Sequence, residues 1–328
     1  MRRGRSTEHP AKEGKMTIFG PIPSRRLGAS LGVNNIPYKI CSYNCVYCQV
    51  GRTLRMQSER SSYGNDPKQI AHEVKKRVER VLETHQKVDY ISIVPDGKPT
   101  LDLALSEIIV RLKTVGIPVA VITNSSLLWE KPVQEGLKNA DWVSLKIDAV
   151  TPAIWKEVNR PHASLSLDKI LQGMQEFAAT YSGTLCTETM LVRDLNDNEA
   201  ELKAIASFLK ENINPSKAYI GIPTRPPAEP WVSAPEPEAI AAAYAIFTEK
   251  GLSAETLTGY ESIGFVVTDD PIEEILNITA VHPMRDDAVK DVLTRFNVGE
   301  DIMEQLIKEG RIKKVHYGNW DYYIRTTR

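Results

Sequence analysis

Three residues stand out as able to do chemistry: Cys41, Cys45 and Cys48. They account for three of only four cysteines in 328 residues and recur as C-x3-C-x2-C within Cys41 Ser42 Tyr43 Asn44 Cys45 Val46 Tyr47 Cys48. Three thiolates on so short a loop suit a metal or an iron–sulfur centre, because each sulfur can turn inward while apolar neighbours exclude water. A structural zinc site normally takes a fourth protein ligand at matching spacing, and none of the six histidines supplies one. On spacing alone, zinc, electron transfer and radical chemistry all remain open. The remaining thiol, Cys186, cannot hold a second cluster by thiolates alone. It reads first as a small hydrophobe, with a role as hydrogen-atom donor or substrate ligand as the alternative.

The elements that must position these residues alternate in type. A small-residue run from Ala29 to Val33 reads as a strand leading into the cysteine loop. Asp66 and Pro67 cap a helix whose apolar positions Ile70, Val74, Val78 and Val81 keep the helical period. Strands are expected at 88–94, 119–123, 141–148, 184–192 and 218–222, separated by helices at 101–115, 133–137, 167–181 and 199–209. Repeated strand–helix units argue a parallel sheet of about six units with right-handed crossovers. Period-two alternation puts Ser144, Lys146 and Asp148 on one face of their strand, opposite Val143, Leu145 and Ile147. Cys186, Glu188 and Met190 likewise share a face.

Composition sets the broad class. A hydrophobic content of 42% fills a sizeable core, and a net charge of −1 with a pI near 6.6 gives no global field for polyanions or anionic membranes. No apolar run approaches the roughly 20 residues of a membrane span. The opening 1–15 is basic and polar and reads as a disordered tail.

The cysteine spacing, with an aromatic residue before the last Cys, resembles the cluster loop of the radical S-adenosylmethionine (radical SAM) superfamily. The stretch Gly20 Pro21 Ile22 Pro23 Ser24 Arg25 Arg26 Leu27 Gly28 is similar to iron–sulfur oxidoreductases related to the wybutosine-synthesis enzymes, and the resemblance extends over nearly the whole chain. It implies an α/β fold, a partial (β/α)6 barrel over 16–265. It also implies a [4Fe–4S] cluster on Cys41, Cys45 and Cys48 whose open iron binds S-adenosylmethionine, with one-electron cleavage to methionine and a 5′-deoxyadenosyl radical that abstracts hydrogen from a substrate. An external electron donor of flavodoxin or ferredoxin type and a reducing cytoplasm follow from the same resemblance.

Cofactor contacts are carried over residue by residue. Pro95 Asp96 Gly97 Lys98 Pro99 Thr100 lines up with a Gly-Gly-Glu-Pro segment that contacts the methionine amino group, with Asp96 and Lys98 replacing the first Gly and the Glu. Thr123 and Asn124 would approach the methionine or ribose, Tyr47 the adenine or cluster, and Glu188 the cofactor. Lys146 and Glu188 are the candidate catalytic pair, a purely structural ion pair being the alternative. Arg25 and Arg26 suit either an anionic substrate or loop bracing. His162, Tyr260 and Glu261 lie in loops within reach of substrate.

Residues 266–328 change character. Three short helices and a ribbon make a winged-helix-like pattern, yet 272–328 carries nine Lys and Arg against ten Asp and Glu. The presumed reading helix begins Glu300 Asp301 and contains Glu304, which phosphates would repel. Packing or docking is therefore expected there in preference to DNA binding. The leading expectation is a radical SAM enzyme with an unidentified substrate; the alternatives are modification of tRNA or a nucleotide, and an iron–sulfur redox-sensing winged-helix regulator.

Overall fold

A computed structural model of the chain describes residues 17–259, 264–267 and 270–326. The expected tail over 1–15 and the loop residues Tyr260 and Glu261 lie outside the described residues. Strands β1 (Thr17–Ser24) and β2 (Gly28–Asn34) form an antiparallel hairpin. The short parallel pair β3 (Ile40–Cys41) and β4 (Arg55–Met56) closes the cysteine loop. Helix α1 (Pro67–Glu83) follows, with the Asp66 carboxylate accepting from Lys68 N at 2.9 Å and Ile70, Val74, Val78 and Val81 buried.

Alternation then runs through β5 (Tyr90–Ile93), α2 (Leu105–Lys113), β6 (Val119–Thr123), α3 (Lys131–Leu137), β7 (Trp142–Lys146), α4 (Pro152–Asn159), α5 (Leu167–Ala178), β8 (Thr184–Met190), α6 (Glu199–Phe208), β9 (Lys217–Gly221), α7 (Pro237–Glu249) and β10 (Ala254–Leu257). The sheet order is β1-β2-β5-β6-β7-β8-β9-β10, parallel from β2 onward. Two edges differ from expectation. β10 adds a parallel strand to the six anticipated, and the stretch before Ala29, where no strand was expected, contains the antiparallel strand β1. The helix expected from Leu101 begins at Leu105, because the Asp102 carboxylate accepts from Ala104 N at 2.9 Å and holds a turn there.

Curvature of the sheet shows in its packing. Val121, Val143, Leu145, Leu185 and Ile220 face the helices in the main core. On the other face, Tyr90, Ala120, Ile122, Trp142, Cys186, Tyr219 and Leu257, drawn from every strand between β5 and β10, converge with Leu27 into one small cluster. Contact between the β1–β2 turn and β10, at the opposite end of the strand order, requires the sheet to curl into a partial barrel. Arg25, in the β1–β2 turn, donates to the carbonyls of Leu257 at 2.5 Å and Gly259 at 2.8 Å, joining the two sheet edges.

The remaining chain forms α8 (Pro271–Val281), β11 (Met284–Arg285), α9 (Asp286–Arg295), α10 (Asp301–Lys308), β12 (Ile312–Tyr317) and β13 (Trp320–Arg325), with strand order β11-β13-β12. Its core also takes Phe19 of β1. Opposite Phe19 stands Gly32, where any Cβ would overlap the Phe19 ring. A buried network ties this module to the barrel: Glu274 of α8 accepts from Gly20 N at 2.7 Å and pairs with Arg77 of α1 at 2.7 Å.

Candidate active site

The cysteine loop leaves the carboxyl end of β2 and is fixed by backbone bonds to the end of α4. Val46 N donates to Val158 O at 3.0 Å and Asn44 N to Asn159 O at 3.1 Å. Cys41, Cys45 and Cys48 are half-buried and line one cavity of about 250 Å³. Burial raises the Cys41 thiol and pushes Cys45 up to about 12, with the Asp148 carboxylate adding to the shift at Cys45. A cationic group bound there offsets that penalty.

The segment 95–100 packs directly on this loop. Lys98 N donates to Ile40 O at 3.0 Å, and a Cβ at Gly97 would overlap the Ile40 carbonyl oxygen. The glycine is therefore a steric requirement for close approach. Gly97 and Lys98 line the cavity; Asp96 is absent from its wall, buried behind it at 6% exposure. Burial pushes Asp96 up to about 6, against the lowering effect of Asn34 and Lys39. Lys98 is 1% exposed and donates to the Thr123 hydroxyl. Desolvation holds its ammonium well below the usual lysine range, with Cys41 and Cys45 pulling the other way. Thr123 and Asn124, at the carboxyl end of β6, share the same wall.

Ser144, Lys146, Glu188 and Met190 line the cavity as the alternation along β7 and β8 requires. Lys146 Nζ lies 2.9 Å from Glu188 Oε1, and Arg26 pairs with the other oxygen. The same ammonium sits 4.8 Å from the centroid of the Tyr47 ring. Tyr47 donates to Asp148, whose carboxylate also accepts from Asn159 Nδ2 at 2.7 Å and Met190 N at 2.8 Å. Cys186 is buried in the apolar cluster, where desolvation pushes it up to about 11. His162 lies outside this cavity and contacts Ser164 at 2.9 Å.

Several contributors were not singled out from the sequence. Lys39, Asn159 and Arg225 all reach the cysteine loop, Arg225 through Gln49. Glu229, between β9 and α7, pairs with Arg52 at 2.8 Å and Arg160 at 2.7 Å, and its N donates to Val46 O in the cysteine loop at 3.1 Å. Arg160 caps α4 in the left-handed region at a φ of 44°.

The donor set discriminates between bound groups. Three half-buried thiols line one cavity, in which Glu188 is the only carboxylate among the described lining residues, and such a sulfur donor set fits an iron–sulfur cluster. Residues 35–206 match the radical SAM superfamily. The chain belongs to that superfamily. It is an enzyme of the radical SAM class, and the cofactors of that class are a [4Fe–4S] cluster and S-adenosylmethionine.

The chain is 44% identical to the UPF0026 protein MJ1312 of Methanocaldococcus jannaschii, over 94% of its own length and 96% of the relative's. It is 27% identical to a protein of Flammeovirga pacifica named S-adenosylmethionine-dependent nucleotide dehydratase, over 50% of this chain and 57% of that one. Among solved structures, a radical SAM methyltransferase from Sphaerobacter thermophilus superposes with a TM-score of 0.52 at 15% identity, covering 70% of this chain and 66% of the other. At that identity the likeness concerns the fold alone. No helix among the described residues is long and apolar enough to cross a membrane.

Proposed function

We propose that this radical SAM enzyme abstracts hydrogen from an anionic, nucleotide-like substrate. One observation carries the reading: the cavity lined by the three cysteines is also lined by Arg25, Arg26, Lys146 and Arg225, with Glu188 the only carboxylate among its described lining residues. Such a wall attracts phosphate or carboxylate groups. The name of the Flammeovirga relative supports a nucleotide over other anions.

In this reading Cys41, Cys45 and Cys48 hold the cluster, and Gly97, Lys98, Thr123, Asn124 and Glu188 form the wall that receives S-adenosylmethionine. When bound, those two groups supply the one-electron chemistry that removes a hydrogen atom from the substrate. The chain's own residues do the positioning. Gly97 lets the 95–100 segment lie against the cysteine loop, and the Lys146–Tyr47 contact fixes the ring beside Cys48. Glu188, shared by Arg26 and Lys146, orders two cations toward the substrate. An external one-electron donor of flavodoxin or ferredoxin type is required by this scheme.

The carboxy-terminal module, taken as a winged-helix-like unit over 266–328, is assigned a docking role. Tyr317 and Tyr322 donate to the carbonyls of Pro223 and Thr224 at 3.1 and 3.0 Å, on the loop that lines the cavity. Asp301 and Glu304 of α10 stay exposed, which disfavours DNA.

The test is anaerobic reconstitution with iron and sulfide, reduction with dithionite, and measurement of methionine and 5′-deoxyadenosine formed from S-adenosylmethionine. Both products are expected. Calorimetric titration with the four ribonucleoside triphosphates and their parent nucleosides should then show at least tenfold tighter binding of a triphosphate. An intact cluster without 5′-deoxyadenosine sinks the enzyme reading, and equal affinity for nucleosides sinks the anionic one.

A further inference from the structure

Each of the three cysteine sulfurs faces one side-chain nitrogen from a different part of the fold. Asn124 Nδ2, beyond β6, is 3.7 Å from Cys41 Sγ; Asn159 Nδ2, ending α4, is 3.5 Å from Cys45 Sγ; Lys39 Nζ, between β2 and β3, is 3.5 Å from Cys48 Sγ. Neither amide is free to present its oxygen instead. Asn124 Oδ1 accepts from Ser126 N at 3.1 Å, and Asn159 Nδ2 is committed as a donor to the Asp148 carboxylate at 2.7 Å.

Lys39 is the most constrained of the three. It is 2% exposed, and its ammonium also donates to the Gly51 carbonyl. Its backbone sits at a φ of 56°, a costly conformation for a residue with a Cβ, and is held there by Leu54 N and Arg55 N donating to its carbonyl at 3.1 and 3.2 Å. A buried ammonium requires nearby anions. With Cys48 read as a cluster ligand, its thiolate sulfur at 3.5 Å supplies one.

We propose that Lys39, Asn124 and Asn159 form a donor set, one per sulfur, that sets the reduction potential of the cluster held by Cys41, Cys45 and Cys48. The proposal rests on reading those cysteines as the cluster ligands. Hydrogen bonds and positive charge at cluster sulfurs stabilise the form carrying the extra electron, so each donor raises the potential. Lys39 adds a full charge and exerts the largest effect. These are positioning residues in the sense that they act on the cluster through its ligands.

Potentiometric titration of the reconstituted full-length protein, followed by the electron paramagnetic resonance signal of the reduced cluster, reads this directly and without turnover. Lys39→Met should lower the reduced-to-oxidised ratio at fixed potential about tenfold, equivalent to about 59 mV for one electron. Lys39→Arg should recover most of the shift, and Asn124→Leu should move the potential in the same direction by less. Iron content is measured on every sample. If Lys39→Met fails to load iron, the Asn124→Leu and Asn159→Leu titrations decide. Unshifted potentials in the loaded Lys39→Met, Asn124→Leu and Asn159→Leu variants overturn the proposal. A full cluster signal surviving in Cys45→Ala overturns instead the ligand assignment beneath it.

Discussion

Lys146 and Arg26 share the Glu188 carboxylate, Lys146 at 2.9 Å from one oxygen and Arg26 on the other. Two cations on one buried anion make that carboxylate the element whose loss matters most. Removing one partner of a buried pair leaves uncompensated charge, costing about 3–5 kcal/mol. Glu188→Gln should therefore destabilise by about 3 kcal/mol in urea unfolding. Adding Lys146→Met should recover at least half of that. A Glu188→Gln variant as stable as the parent contradicts the pairing.

The glycines at 97 and 32 both prevent overlap, but with different neighbours. A methyl group at Gly97 pushes on the Ile40 carbonyl next to Cys41, whereas one at Gly32 pushes on Phe19. Each Ala substitution should cost about 1–3 kcal/mol through overpacking. Only Gly97→Ala should also lose bound iron after reconstitution. Equal iron content in both variants would show that the 95–100 segment does not shape the cysteine loop.

Asp96 gives the stability a pH dependence of definite sign. Its carboxyl is raised from 3.8 to about 6 in the folded chain by burial. In the window between those values the folded state holds a proton that the unfolded state has lost, so stability falls as pH rises through it. Asp96→Asn removes this term. It should stabilise the protein by about 2–3 kcal/mol at pH 8 and have little effect below pH 4. Thermal unfolding at the two pH values checks it; a stabilisation confined to the acid side reverses the sign and defeats the argument.

Glu274 joins the carboxy-terminal module to the barrel through Gly20 and Arg77. Its replacement by Ala should cost about 3 kcal/mol and speed amide exchange in both β1 and α8. Faster exchange in α8 alone would mean that the two bodies are held together by apolar packing.

The parallel strands were legible because each is two-faced. In β7 and β8 the helix side takes Val143, Leu145 and Leu185, while Ser144, Lys146, Glu188 and Met190 meet the cavity. The Cys41–Cys48 loop and the 95–100 segment were legible as contiguous motifs. β10 was missed because Ala254–Leu257 is only four residues with a mixed pattern. β1 was missed because Gly20, Pro21 and Pro23 read as turn residues, although an edge strand tolerates proline. Lys39 and Asn159 escaped for another reason. Their meaning lies in which sulfur they face, and that is set by contacts spanning 9 and 114 positions of the chain.

The enclosure of Phe19 bears on how the chain is made. Its ring completes a core built from Phe265, Leu276, Met284, Val292 and Tyr323, all of which leave the ribosome long after it does. At synthesis rates of about 5–20 residues per second, the roughly sixty positions from Phe265 to Tyr323 take about 3–12 s to appear. Through that interval the barrel strands are already available to pair, while an aromatic ring stands uncovered on an edge strand, the kind of surface that invites association between nascent chains. Chains stalled before Tyr323 are accordingly the species from which aggregates of this protein should grow.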